Sequence, residues 1–186
     1  MKELSLNILD IAENSVKAGA DRIVINLDET EETMRFTIED NGCGMSSEVL
    51  SVVENPFYTT RTTRPVGMGI SLLKLAAEQT GGNLELSSRW EKDYPDSHGT
   101  VLTALLYKNH IDYEPLGDII STLTTLIHGS PDIDFVFTHN ICGQAVELDT
   151  AQLREVLEDV PLNSPDVINW ISGFLTEQYD SIIQDK

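Results

Sequence analysis

Basic residues are scarce in this chain: 12 Lys and Arg stand against 31 Asp and Glu, for a formal net charge of −19. A protein that tracks phosphates along a nucleic acid must offset their charge, and this chain would repel them, so no nucleic-acid partner is expected. One local cationic patch would still suffice to hold a single nucleotide. Cysteine is nearly absent, with only Cys43 and Cys142. Two cysteines build no disulfide framework, and no CxxC pair points to zinc or redox chemistry. No apolar run approaches the roughly 20 residues of a membrane span. The opening MKELSLNILDIAENS places acids where a signal peptide needs an apolar stretch. These absences lead us to expect a cytoplasmic location with no membrane association.

What is present is enough apolar material for a core, 40% of 186 residues. That length suits one domain, or one domain with a substantial appendage. Leu6, Ile8, Leu9, Ile11, Ala12 and Val16 recur at helical spacing and predict a helix over about 4–18, closed by Gly19. RIVINLD and MRFTIED alternate as strands, and DNGCGM follows as a turn. SSEVLSVVEN predicts a short helix capped by Ser46 or Ser47. PFYTTRTTRPVGMG reads as a loop, ISLLKLAAEQT as a helix, and NLELSSRW and GTVLTALLY as strands. After about Lys108 the pattern predicts a helix over 116–128 and a hairpin turning at Ile141–Gly143. A helix capped by Asp149 or Thr150 follows, then a last helix with Ser164 as cap and Pro165 at its first position. We divide the chain into 1–108 and a C-terminal extension, 109–186, for partner or dimer contacts.

Several residues carry chemistry. Asp10 and Asn14 are four apart and share a helix face, with Lys17 a turn further on. Such spacing also describes an ordinary solvated face. Asn14 offers the neutral oxygen of a magnesium ligand, and Asp10 a base for an attacking water. Asp40 ends an alternating strand, where DNG is also a common turn. A carboxylate there can accept from an exocyclic amine while Gly42 and Gly44 let a flat base approach the backbone. Gly67, Met68 and Gly69 precede a helix whose N-terminus suits a phosphate, and Arg61 and Arg64 lie just upstream.

In order, these pieces resemble the GHKL ATPase superfamily of gyrases, heat-shock chaperones, histidine kinases and mismatch-repair clamps. LDIAENSVKAGADRIVI looks like the family's N-box helix and strand, DNGCGM like its adenine box, and HGTVLTALL like its last conserved strand. NPFYTTRTTRPVGMGISLLKLAAEQTGGNLEL resembles the histidine-kinase lid, glycine box and helix. The resemblance covers about 1–108 and is closest to the histidine-kinase-like ATP-binding domain. It implies an α+β fold of the Bergerat type, a two-layer sandwich. The sheet is then mixed but mostly antiparallel, with helices on one face and a small C-terminal extension. It also implies ATP and magnesium as ligands. Asn14 then resembles the magnesium ligand, Lys17 a phosphate contact and Asp40 the adenine reader. Gly42, Gly44 and Met45 shape the wall, and Thr100 supports Asp40 through water. Gly67, Met68, Gly69 and Ile70 resemble the lid hinge, and Arg61 a lid contact.

Two departures from the family pattern matter. Asp10 stands where the hydrolysing branches usually carry Glu, which implies slow turnover, and Glu13 faces elsewhere. Only nine residues precede Asp10, and none of the four histidines (98, 110, 128, 139) lies in a phosphoacceptor context. We therefore expect no phosphoacceptor hairpin and no gyrase- or clamp-type transducer. The expectation is an ATP-magnesium protein with weak ATPase activity, whose 56–67 lid signals to a protein partner, with a homodimer as one form. The alternatives are a protein kinase acting in trans and a non-catalytic nucleotide sensor.

Overall fold

The computed structural model describes residues 3–53 and 68–184, with the Met68 side chain left out. Helix α1 (Leu4–Lys17) buries Leu4, Ile8, Ile11, Ala12 and Ser15, one stripe at three- and four-residue spacing. No side chain caps its start. Instead Leu4 and Ser5 N–H donate to the carbonyls of Pro115 and Leu116 at 2.9 and 2.8 Å, so a distant loop satisfies the first turn. Gly19, at φ +76, ends it in the left-handed conformation that glycine adopts without a Cβ penalty.

Strands β1 (Arg22–Glu29) and β2 (Thr33–Asp40) follow, then α2 (Ser47–Val53), α3 (Met68–Gln79), β3 (Asn83–Arg89) and β4 (Gly99–Tyr107). The rest of the chain forms α4 (Ile119–Gly129), β5 (Asp134–Ile141), β6 (Gln144–Asp149), α5 (Thr150–Leu157) and α6 (Pro165–Gln184). The strands make one six-stranded sheet in the order β3-β4-β2-β1-β5-β6. The β1–β5 pair is parallel and every other pair antiparallel. This is the expected α+β sheet with its helices.

Register explains the core. One row of paired positions runs Leu86, Leu102, Ile38, Ile25, Phe137, Leu148 across all six strands, and the next runs Leu84, Ala104, Phe36, Leu27, His139, Val146. Apart from Leu86, which packs against the core half-buried, these side chains are buried. Each fully buried aliphatic or aromatic contributes about 1.5–3 kcal/mol. Strands from before and after residue 108 thus share both rows. Helix α4 packs on α1 and α6, and α3 on β3 and β4.

Local differences from the expectation have simple causes. Met68 and Gly69 already belong to α3 rather than to the loop before it. Helix α4 starts at Ile119 because Asp118 accepts from Ser121 N–H at 2.8 Å. Asp149 caps α5 through Ala151 N–H at 2.9 Å. Ser164 supplies only its carbonyl to α6, at 3.0 Å from Ile168 N, while its Oγ is buried with no hydrogen-bond partner. No helix among the described residues is long and apolar enough to cross a membrane.

Candidate functional site

Between α1 and the β2–β4–β3 side of the sheet lies a cavity of about 320 Å³. Ile11, Ile38, Val53, Ile70, Leu86 and Leu102 supply apolar wall, and Asn14, Ser15, Asp40 and Thr100 supply the polar groups. Apolar walls with a few fixed polar groups are the usual form of a small-molecule pocket. Asp40 reaches it because β2 ends there, opposite Thr100 on β4.

The Asp40 carboxylate is held by neutral donors. Its Oδ2 accepts from Ser15 Oγ at 2.6 Å, and its Oδ1 accepts from the Gly42 and Thr100 amides at 2.9 and 3.2 Å. Thr100 therefore supports Asp40 directly through its backbone amide. The Thr100 hydroxyl instead shares a 2.9 Å hydrogen bond with Ser88 Oγ.

The loop after Asp40 is pinned from several sides. Cys43 N–H donates to Ala18 O and Glu91 N–H to Cys43 O, both at 2.9 Å. Met45 N–H donates to Ser88 Oγ at 2.8 Å, and His98 Nδ1 lies 2.6 Å from Gly42 O. Gly44, at φ +65, passes so close to β3 that a Cβ would sit 2.0 Å from Arg89 O. A Cβ on Gly42 would meet the Ala18 Cβ at 2.9 Å. These glycines let backbone occupy space that side chains elsewhere fill.

Asn14 is half-buried at the cavity, while Asp10, one turn earlier, is exposed. Gly69, in the first turn of α3, stands beside Asp10: a Cβ there would lie 3.5 Å from the Asp10 Cβ. The start of α3, Asp10 and Asn14 thus gather at one end of the site. Lys17 lines the cavity but pairs with Glu13 at 3.2 Å, both largely exposed. Such a surface pair contributes only about 0–1 kcal/mol, so the ammonium is free to turn elsewhere at little cost. Ile70 is buried behind the cavity. The lid over 56–67, with Arg61, Arg64 and Gly67, lies outside the described residues. Sequence reasoning missed Ser15, Ser88 and His98. Ser15 had one legible signal, as the polar residue on the buried stripe of α1.

A second polar cluster lies at the opposite end of the central strands. Glu29, the last residue of β1, meets Lys108 Nζ at 2.5 Å and His139 Nε2 at 3.2 Å. His139 is 1% exposed, the polar member of an otherwise apolar row, and its Nδ1 lies 2.9 Å from the Tyr179 hydroxyl on α6. The Glu29–His139 distance is that of an ion pair, but the alignment is not that of a hydrogen bond. The contact with His139 lowers the Glu29 carboxyl most; burial pushes it up and Lys108 lowers it again, leaving it at about 2 instead of 4.5. Tyr113 is pushed up to about 12, first by burial and then by the Glu29 charge, and Tyr179 is raised for the same reasons.

Residues 2–130 match the family model described as Histidine kinase-, DNA gyrase B-, and HSP90-like ATPase. The Sensor protein SrrB of Staphylococcus aureus is 32% identical over 97 residues, covering 50% of this chain and 16% of that protein. The chain therefore spans only a small part of that relative. The N-terminal domain of a DNA repair protein superposes with a TM-score of 0.51 at 16% identity, over 80% of this chain and 53% of that one. At that identity the likeness shows the fold alone. The Mycobacterial sensor histidine kinase MprB superposes with a TM-score of 0.41 at 20% identity, over 54% of this chain and 69% of that one.

Proposed function

The chain belongs to the Histidine kinase-, DNA gyrase B-, and HSP90-like ATPase family, and on that premise we propose that it binds ATP with magnesium, hydrolyses it slowly and reports its nucleotide state to a protein partner. Membership of an ATPase family supports ATP binding as such. The observation that carries the finer reading is Asp40. Three donors occupy its carboxylate, Ser15 Oγ and the Gly42 and Thr100 amides. A carboxylate has about four acceptor positions, so one remains for a ligand N–H. Apolar residues around it suit a flat heterocycle, and the adenine amine is the group to fill that position. Guanine would turn a carbonyl oxygen towards Asp40 instead.

The residues present also fit magnesium. No group of three or more His, Cys, Asp or Glu among the described residues could cage a metal. A cation with one protein ligand, completed by phosphate and water, matches the habit of magnesium. Asn14 would hold it, and the bound cation would neutralise charge on the phosphates. The amides at the start of α3 would meet the terminal phosphate, helped by the helix dipole. Lys17 would leave Glu13 for the same charge. Asp10, exposed beside Gly69, would hold a water in line and take its proton. Aspartate is a methylene shorter than glutamate, and about 1 Å of misplacement costs on the order of 100-fold, hence slow hydrolysis.

Titration calorimetry with ATP and GTP, with and without magnesium, tests the reading. ATP should bind tighter than GTP by on the order of 1–3 kcal/mol, the cost of a buried polar group left unpaired. Asn14→Ala should remove the magnesium dependence and keep the fold. Equal curves for both nucleotides would rule out the Asp40 assignment. The histidine kinases named in the family's description favour a second reading, phosphoryl transfer to another protein. Labelled ATP separates them: phosphate release marks an ATPase, label on a second protein a kinase, and intact retained ATP a non-catalytic sensor.

A further inference from the structure

Away from the nucleotide cavity, and sharing no residue with it, a groove of about 500 Å³ lies where β5 and β6 meet α5 and α6. Helix α6 has two apolar stripes. Val167, Ile171 and Leu175 are buried in the core, whereas Trp170 and Phe174 face the groove at 52% and 36% exposure. Their rings stack at 5.0 Å with an interplanar angle of 10°, forming one flat platform. Val156 of α5, 81% exposed, completes the apolar lining. Stacked aromatics left in water beside a groove are typical of an interaction site rather than of idle surface.

Two observations select the occupant. The first is charge. The described segment 144–184 carries eight carboxylates and a single cation, Arg154. That guanidinium is turned inward, onto Pro131 O, Ile133 O and Asp134 at 2.7–2.8 Å. The groove is therefore apolar in the middle and acidic around, with Glu147 in its lining. A second copy of a chain carrying −19 would be repelled there. The second is the sheet edge. Strand β6 ends the sheet, but the Gln178 amide accepts from Glu147 N–H and donates to Glu147 O, both at 3.0 Å. That side chain occupies one pair of the outward hydrogen bonds an added strand would use, in the middle of β6.

We propose that this groove docks a basic segment of a partner protein, with a bulky apolar side chain on the Trp170–Phe174 platform and flanking Lys or Arg against the carboxylates. This gives the partner of the reading above a chemistry. Because the groove and the cavity are separate, each can fail without the other.

The test is a random peptide phage library panned on the whole chain and counter-selected on Phe174→Ala. Enriched peptides are then synthesised and titrated against a Trp90→Phe background, where Trp170 is the sole indole reporter. The expected result is enrichment of Lys/Arg-flanked aromatic or aliphatic anchors that shift Trp170 emission saturably. Affinity should fall at least tenfold in both Phe174→Ala and Glu147→Lys, and should weaken with salt. ATP affinity should be unchanged in both variants, and matching thermal melts should show that both are folded. Enrichment of acidic or purely polar peptides, or affinity untouched by either variant, overturns the proposal. So does a concentration-dependent dimer that Phe174→Ala abolishes, which would make the occupant a second copy.

Discussion

The two ends of the central strand pair each carry a carboxylate, and they are built differently. Asp40, at the end of β2, is held by a hydroxyl and two amides and faces a cavity. Glu29, at the end of β1, is gripped by Lys108 and His139 and is not among the residues lining that cavity. Neutral donors fix a carboxylate in place while leaving its charge unspent, so it stays available to a ligand. A cation and an imidazole spend that charge within the fold. On the proposed reading, donor type separates a carboxylate that binds a ligand from one that ties elements together. Here Glu29 joins β1, the end of β4, β5 and, through Tyr179, α6.

The sharpest way to break this contrast is to ask which end affects chemistry. Asp10→Asn, beside the cavity, should lower steady-state phosphate release on the order of 100-fold or more, as loss of a general base does. ATP affinity should hardly move, because the base acts in the transition state. Glu29→Gln should leave turnover intact; if it slows release as much as Asp10→Asn, the division of labour is wrong.

Asp40→Asn comes next. It should weaken ATP by on the order of 1–3 kcal/mol and erode the preference over GTP, as competition titrations would reveal. Glu29→Gln should change stability instead, by about 2 kcal/mol, since it strips the partner from Lys108 and His139. That corresponds to a Tm lower by roughly 4–8 °C for a domain of this size. Each effect should persist unchanged in the double variant, the sites lying at opposite ends of the strand pair.

Acid sharpens the comparison further. The Glu29 carboxyl is lowered in the folded protein, from 4.5 to about 2. Its contribution is therefore present above pH 4.5 and is lost as the pH falls from there through 2. Denaturant midpoints should drop across that window in wild type and drop less in Glu29→Gln. Parallel curves would remove Glu29 from the account. The smallest effect is expected for Ser15→Ala, which takes one of three donors from Asp40. ATP affinity should fall only a few-fold, about 1 kcal/mol, the value of one hydrogen bond.

Much of this was legible in the sequence because the physics is periodic or local. Ile23, Ile25 and Leu27 alternate because one face of β1 is buried. The α1 stripe repeats because one side of that helix meets the sheet. Gly42 and Gly44 mark a close passage of backbone that few other residues permit. The rest depends on partners far apart in the chain. The Ser15–Asp40 bond spans 25 residues and the Lys108–Glu29 bond 79. Ser88 and His98 touch the site only because β3 and β4 bring them there. Strand order was hidden for the same reason: nothing local in RIVINLD or IDFVFTH says that the two lie side by side. Ser164 shows the opposite failure, a capping signature whose hydroxyl makes no capping bond.

The parallel pairing of β1 with β5, from Arg22 beside Asp134 to Glu29 beside Ile141, bears on how the molecule is made. During synthesis β1 can pair with β2 almost at once, since only a short turn separates them. Its other edge must wait for more than a hundred residues to leave the ribosome. Through that interval a strand with three buried-to-be aliphatics presents open amides and carbonyls, the kind of edge that recruits strands from other chains. Contacts so distant in sequence also form slowly. A fragment ending at residue 130, where the family match stops, would keep that edge bare for good. Such a fragment should aggregate, even though it holds every described residue lining the cavity beside Asp40.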